Sequence, residues 1–171
     1  QRWNPTGEVL IRDGAPGFTP TGESSLLVDV RVGAVVDEHG RYQENLEPEQ
    51  STLRFTLQRE NGQWRIASAP NLTVVTSPVF SVVFNPFQVY FYNNTQNALV
   101  SDVRWFPSRA STGTKLVNAL LDGPSSHLAQ GVTSAIPAGT KLTIDAVNVV
   151  DGVAQVDFDS TALEADALER R

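Results

Sequence analysis

Phe55-Thr56-Leu57-Gln58-Arg59-Glu60-Asn61-Gly62-Gln63-Trp64-Arg65-Ile66 decides the fold of the first half of the chain. Asn61-Gly62 stands between two runs that suit strands, and a two-residue turn of this kind needs positive φ at both positions, which Asn and Gly tolerate best. Counting outward pairs Glu60 with Gln63, Arg59 with Trp64 and Leu57 with Ile66, so Leu57 and Ile66 share one core face. Leu53 and Phe55 extend that face upstream, and the four inward positions are all apolar.

Working outward, Leu26, Val28, Val30 and Val32 alternate with Asp29 and Arg31, which is the period of a half-buried strand continuing to about Val36. Asp37-Glu38-His39-Gly40 opens a polar loop rich in Glu44, Glu47 and Glu49, and alternation resumes at Leu53. Between Thr73 and Pro86 the pattern loses a single period and carries two prolines, which suits a packed connector or an edge strand that crosses over. A domain boundary is placed near Pro78, giving a β-rich domain at 1–78 and a second domain at 79–171.

In the second domain, Gln88 to Tyr92 and Ala98 to Phe106 read as strands around the turn Asn93 to Asn97. Ser111 or Thr112 caps a helix whose Leu116, Val117, Leu120 and Leu121 form one apolar stripe. Gly123-Pro124 stops it, because glycine accepts the left-handed C-terminal conformation and proline cannot continue a helix. A short turn is expected at Ser125 to Gln130. Lys141 to Val150 and Val153 to Phe158 form a hairpin about Asp151-Gly152 with Val147 facing Val156, and Ser160 to Arg171 reads as helical. The fold class is α+β: two small domains, each an antiparallel or mixed sheet with few helices.

The chain has 171 residues, 40% of them apolar, so packing alone can supply a core without disulfides or a structural metal. The net charge of -6 is divided evenly, since 7 basic oppose 10 acidic residues up to Pro78 and 6 oppose 9 beyond it. Neither half offers the basic stripe that phosphate binding requires, so nucleic acids and acidic membrane surfaces are poor candidates for a partner. Cysteine is absent, which removes thiol catalysis and thiolate metal sites. Methionine is also absent, so Gln1 is not a translational start and the chain is expected to be a segment of something longer. The most apolar stretch, Val74 to Phe91, is broken by Ser77-Pro78 and Asn85-Pro86, and any membrane attachment is expected outside this chain.

His39 and His127 stand apart from any metal-ligand spacing and read as surface residues. Ser125-Ser126-His127 places a nucleophile near a base, but no third group is evident and no Gly-x-Ser-x-Gly turn is present. Asp157 and Asp159 flank Phe158 on one strand face, where alternation around an inward Phe158 explains them without chemistry. Asp145, Asn148 and Asp151-Gly152 depart from the calcium-loop spacing. Asn71-Leu72-Thr73 and Asn93-Asn94-Thr95 fit the glycosylation sequon, which chance alone also produces. No catalytic residue, metal or cofactor is expected. The aromatic run from Phe80 to Tyr92 is read as core and interface packing. Trp105-Phe106, ending a strand at a loop, is the candidate for exposure and for binding a partner. Asn61, Gly62, Gly123, Pro124, Asp151 and Gly152 are structural turns and caps.

Val89-Tyr90-Phe91, Leu99-Val100, Leu120 to Ser125, Ser134 to Thr140 and Asp151 to Asp157, in that order, resemble the GerMN domain of sporulation and envelope proteins. Phe55-Thr56-Leu57 with Glu60 to Ile66 resembles the terminal hairpin of nuclear transport factor 2-like domains, whose bent sheet wraps helices into a cone. The tandem, with Trp3-Asn4-Pro5 before it and 11 Arg to 2 Lys, resembles actinobacterial lipoproteins of the LpqB family. The resemblance implies that a lipid-anchored signal segment precedes, that a β-propeller follows, and that the first, cone-type domain is partial, because the helices that fill the cone have no counterpart here. It also implies an extracytoplasmic accessory module, held at the cell membrane, that contacts the extracytoplasmic domain of an MtrB-type sensor histidine kinase and modulates two-component signalling in cell-wall homeostasis and division. The alternative is a domain that binds a small ligand or an envelope glycan. An isomerase-like enzyme ranks below both, since the inward positions lack an acid or base.

Overall fold

The computed structural model describes residues 7–109 and 111–164, which form two compact units. One unit comprises Gln1–Glu38 and Tyr42–Val82, and the other His39–Arg41 and Val83–Arg171. Trp3-Asn4-Pro5 and the end of the closing segment lie outside the described residues.

The first unit is a five-stranded sheet of order β4-β3-β2-β1-β5, built from β1 (Val9–Pro20), β2 (Ser25–Val36), β3 (Tyr42–Glu60), β4 (Gln63–Ser68) and β5 (Thr73–Thr76). The turn at Asn61 (φ 51°) and Gly62 (φ 77°) closes β3 on β4 with Glu60 opposite Gln63, Arg59 opposite Trp64 and Leu57 opposite Ile66, as expected. Strand β5 lies parallel to β1 at the sheet edge, which meets the expectation of an edge strand that crosses over.

One feature corrects the reading of this half, and two go beyond it. The acidic stretch at Glu44, Glu47 and Glu49 is strand and not loop, because its backbone pairs with β2, Tyr42 opposite Val36 and Glu49 opposite Val32. Val9–Pro20 is a strand that carries no clean alternation, since its register to β2 shifts twice. The face shared by Leu26, Val28, Val30 and Val32 holds as expected and does not continue past Gly33. Arg12 pairs with Val32, its neighbour Ile11 pairs with Ala34, and the extra residue in β2 sends Val32 and Ala34 to opposite faces. One face therefore buries Leu10, Val30, Val32 and Leu53, while Ile11, Ala34 and Val36 are buried on the other. After β5 comes a short helix, α1 (Ser77–Val83), with Pro78 in the first turn, where its missing N–H costs nothing. Phe80 is its buried residue and packs on Tyr42 with ring centroids 5.9 Å apart.

The second unit holds the hairpin β6 (Phe84–Asn93) and β7 (Leu99–Pro107), the helix α2 (Thr112–Leu121), the edge strand β8 (Val132–Thr133) and a separate ladder of β9 (Asn148–Val150) with β10 (Val153–Gln155). Strand β6 passes through Pro86, tolerated because β8 pairs only with Tyr92 and Asn93. The Asn93 side chain accepts hydrogen bonds from the amides of Asn97 (3.0 Å) and Ala98 (3.3 Å), closing the Asn-rich turn. Leu116, Leu120 and Leu128 pack on Val89, Phe91 and Val132. The fully buried residue of α2 is Ala119, between the two leucine lines.

Asp151 (φ 50°) and Gly152 (φ 78°) form the expected turn, but the ladder stops at Asn148 opposite Gln155, so Val147 and Val156 are not partners in it. The Val147 amide instead donates to Thr114 Oγ1 at 2.9 Å, which draws the chain onto α2 and ends the strand. Phe158 is 39% exposed, contrary to the inward position expected of it, and Leu142 opposite Phe158 is an isolated bridge. Asp159 accepts the Thr161 amide at 3.2 Å and starts a tight helical turn at Ser160–Glu164, which explains that carboxylate structurally.

Candidate functional site

Each unit contains one arrangement of interest. In the first, the strands bring Leu26, Val28 and Val30 of β2, Leu53, Phe55 and Leu57 of β3, Ile66 of β4 and Val74 of β5 to one face. Their alternation is what the sequence shows, and cross-strand pairing aligns it into a trough of about 390 Å³. Val30 (2% exposed) and Leu53 (6%) form the floor, and Phe18 (64%) and Ile66 (63%) stand open at the rim. Leu57 and Ile66 thus share a face, but that face is an accessible surface at Ile66 and not closed core. Arg12 is the charged residue among those lining the trough.

In the second unit, Val100, Asp102, Arg104 and Phe106 alternate onto the buried face of β7. Asp102 (2% exposed) and Arg104 (0%) pair there at 2.8 Å. The Asp102 carboxylate also accepts the Ser125 amide at 2.7 Å and the Ser125 hydroxyl at 2.9 Å. Arg104 donates to the Gly123 carbonyl at 3.0 Å, and Arg41 reaches the same oxygen at 3.4 Å. Gly123 has φ +82°, so the left-handed residue that stops α2 also turns its carbonyl toward both guanidinium groups. Residue Asp122 closes α2 by donating its amide to the Asn118 carbonyl, and its carboxylate accepts a hydrogen bond from His39 Nδ1.

This network escaped the sequence reading, although its signal was present: opposite charges at alternate positions of a strand, on the side shared by Val100 and Phe106. Ser125 does not face His127, for its hydroxyl is engaged by Asp102 and His127 is exposed. Phe106 is a further correction. It is 3% exposed, lies against Gly40 and carries the Lys115 ammonium 5.4 Å from its ring centroid, so it is a core residue. Trp105 is half-buried, and its amide donates to the Gly40 carbonyl at 2.7 Å. Pro124 follows the Gly123 stop as expected and leads into Ser125.

Tyr42 has a raised phenol pKa, chiefly from burial and then from the Glu44 charge. Among the described residues, no group of three or more His, Cys, Asp or Glu could hold a metal ion, and no helix is long and apolar enough to cross a membrane.

Residues 1–81 match the family model described as lipoprotein LpqB, N-terminal domain, and residues 88–171 match the model described as sporulation and spore germination. The lipoprotein LpqB of Bifidobacterium longum is 31% identical over 170 residues, covering 92% of this chain and 29% of that protein. Its namesake in Thermobifida fusca is 29% identical, covering 96% of this chain and 28% of the relative, and the one in Corynebacterium diphtheriae is 32% identical, covering 81% and 25%. The chain therefore spans under a third of the length of these relatives. No solved structure matches it.

Proposed function

The chain belongs to the LpqB lipoprotein family, and from that premise we propose that it is a non-catalytic accessory module at the extracytoplasmic face of the cell membrane, in a protein held there by a lipid outside this chain. Its task in this reading is to contact the extracytoplasmic domain of an MtrB-type sensor histidine kinase and so modulate two-component signalling in cell-wall homeostasis and division. The observation that supports a non-catalytic role is the engagement of Asp102. Its carboxylate is met by three donors of this chain, Arg104 and the amide and hydroxyl of Ser125, so it holds the fold together instead of being offered to a substrate. Trp105 at the end of β7 is the proposed anchor for the partner, and Phe106 drops out of that role because it is core.

Titration calorimetry of this chain against the purified kinase domain tests the proposal. Weak binding that Trp105→Ala reduces more than any single acidic substitution supports it, because the even spread of negative charge gives no steering patch. Binding that is undetectable here but clear for the longer protein overturns it. A second reading, a small-ligand site in the first unit, is favoured by the trough, whose volume and apolar lining fall in the range of ligand pockets.

A further inference from the structure

We propose that the trough of the first unit takes up a single-chain anionic amphiphile as a monomer, with its tail along Val28, Val30, Leu53 and Phe55 and its head on Arg12. This rests on the ligand-binding reading and names the ligand's chemistry.

The lining selects the tail. Ten of its eleven residues are apolar, so a peptide laid in the trough would lose water from its amides and gain few partners for them. A hydrocarbon chain carries no such groups and gains from covering the exposed side chains of Phe18 and Ile66. The cation selects the head. Arg12 sits on the same face, half-buried, and donates one N–H to the Gly14 carbonyl two residues further along β1. Among the described residues it pairs with no carboxylate, whereas its neighbour Asp13 pairs with Arg31 at 3.9 Å. A guanidinium at the rim of an apolar groove retains further donors in a planar fork that suits a carboxylate or phosphate monoester. On a chain of net charge -6, a lone cation in an apolar setting is a local complement to an anion.

The test compares sodium laurate with dodecanol, both below their aggregation limits, by calorimetry on this chain. Laurate should bind with one-to-one stoichiometry and about tenfold or more tighter than dodecanol, the margin expected of a charge-assisted hydrogen bond. Arg12→Gln should erase that difference and leave dodecanol binding unchanged, with circular dichroism confirming the fold. Leu26→Trp, which fills the trough without touching the cation, should weaken both probes. Equal binding of laurate and dodecanol would overturn the Arg12 assignment while leaving an apolar ligand site standing. Binding of neither would overturn both readings. Vesicles of phosphatidylcholine with phosphatidylglycerol form the third arm: capture by them without uptake of laurate would point to a membrane surface and overturn the proposal.

Discussion

Replacing Asp102 by Leu probes the buried network of the second unit most directly. The carboxylate is 2% exposed and accepts from Arg104, the Ser125 amide and the Ser125 hydroxyl. Its removal takes the Asp102 charge away from a guanidinium that is 0% exposed and that keeps its bond to the Gly123 carbonyl. Breaking a buried pair from one side costs about 3–5 kcal/mol. A stranded Ser125 amide adds about 1–3 kcal/mol, while the hydroxyl can rotate toward another acceptor, so the terms overlap. The expected total is about 4 kcal/mol, a large share of the ~5–15 kcal/mol that typically stabilises a domain. Adding Arg104→Leu removes the buried guanidinium as well, and the double variant should recover about half of the loss, because an apolar pair of similar volume often replaces a buried ion pair at little cost. Urea unfolding followed by Trp105 fluorescence, with Trp3→Phe and Trp64→Phe in the background, reports the second unit separately from the first. A cost below about 1 kcal/mol for Asp102→Leu, or a double variant no more stable than the single one, would refute the account.

Gly123→Val should destabilise the second unit by about 1–2 kcal/mol through left-handed strain alone, since an added Cβ meets no atom within 4 Å; an unchanged midpoint in the same urea assay would reject the stop role. Gly40→Ala combines a φ of +79° with a Cβ placed 2.5 Å from Phe106 Cζ, so it should cost about 2 kcal/mol or more, partly recovered by Phe106→Leu in thermal unfolding. Tyr42 ionises above its ordinary value of 10.0 in the folded chain, so the unfolded chain loses that proton first and stability falls as pH rises past 10. Tyr42→Phe should flatten this alkaline loss, measured by unfolding at stepped pH, and only modestly, because the ring is 41% exposed.

Short-range chemistry determined what was legible in the sequence. The turns at Asn61-Gly62 and Asp151-Gly152, the register they impose on Leu57 and Ile66, and the stop at Gly123 each depend on residues within a few positions of one another. Left-handed φ is steeply costly for most side chains, so residue type alone identifies such sites. The order of landmarks from Val89 to Asp157 also carried the family resemblance, because turns and core positions recur wherever one backbone is retained. Tertiary structure decided the rest. Gly33 is an ordinary strand residue by composition, yet the pairing of Ile11 with Ala34 and Arg12 with Val32 makes it the point where the buried face changes side. Glu44 to Glu49 read as loop because their side chains are polar, whereas their strand is held by backbone bonds to β2 that no side chain announces. Phe106 reads as a surface aromatic until Gly40, far away in sequence, lies against its ring. Nothing local to Asp102 and Arg104 announces that Ser125 and Gly123 meet them, and the same alternation that marks Val30 and Leu53 as inward leaves Phe18 and Ile66 open. Periodicity assigns a residue to a face, but whether that face is buried, bonded or open depends on partners brought from elsewhere in the chain.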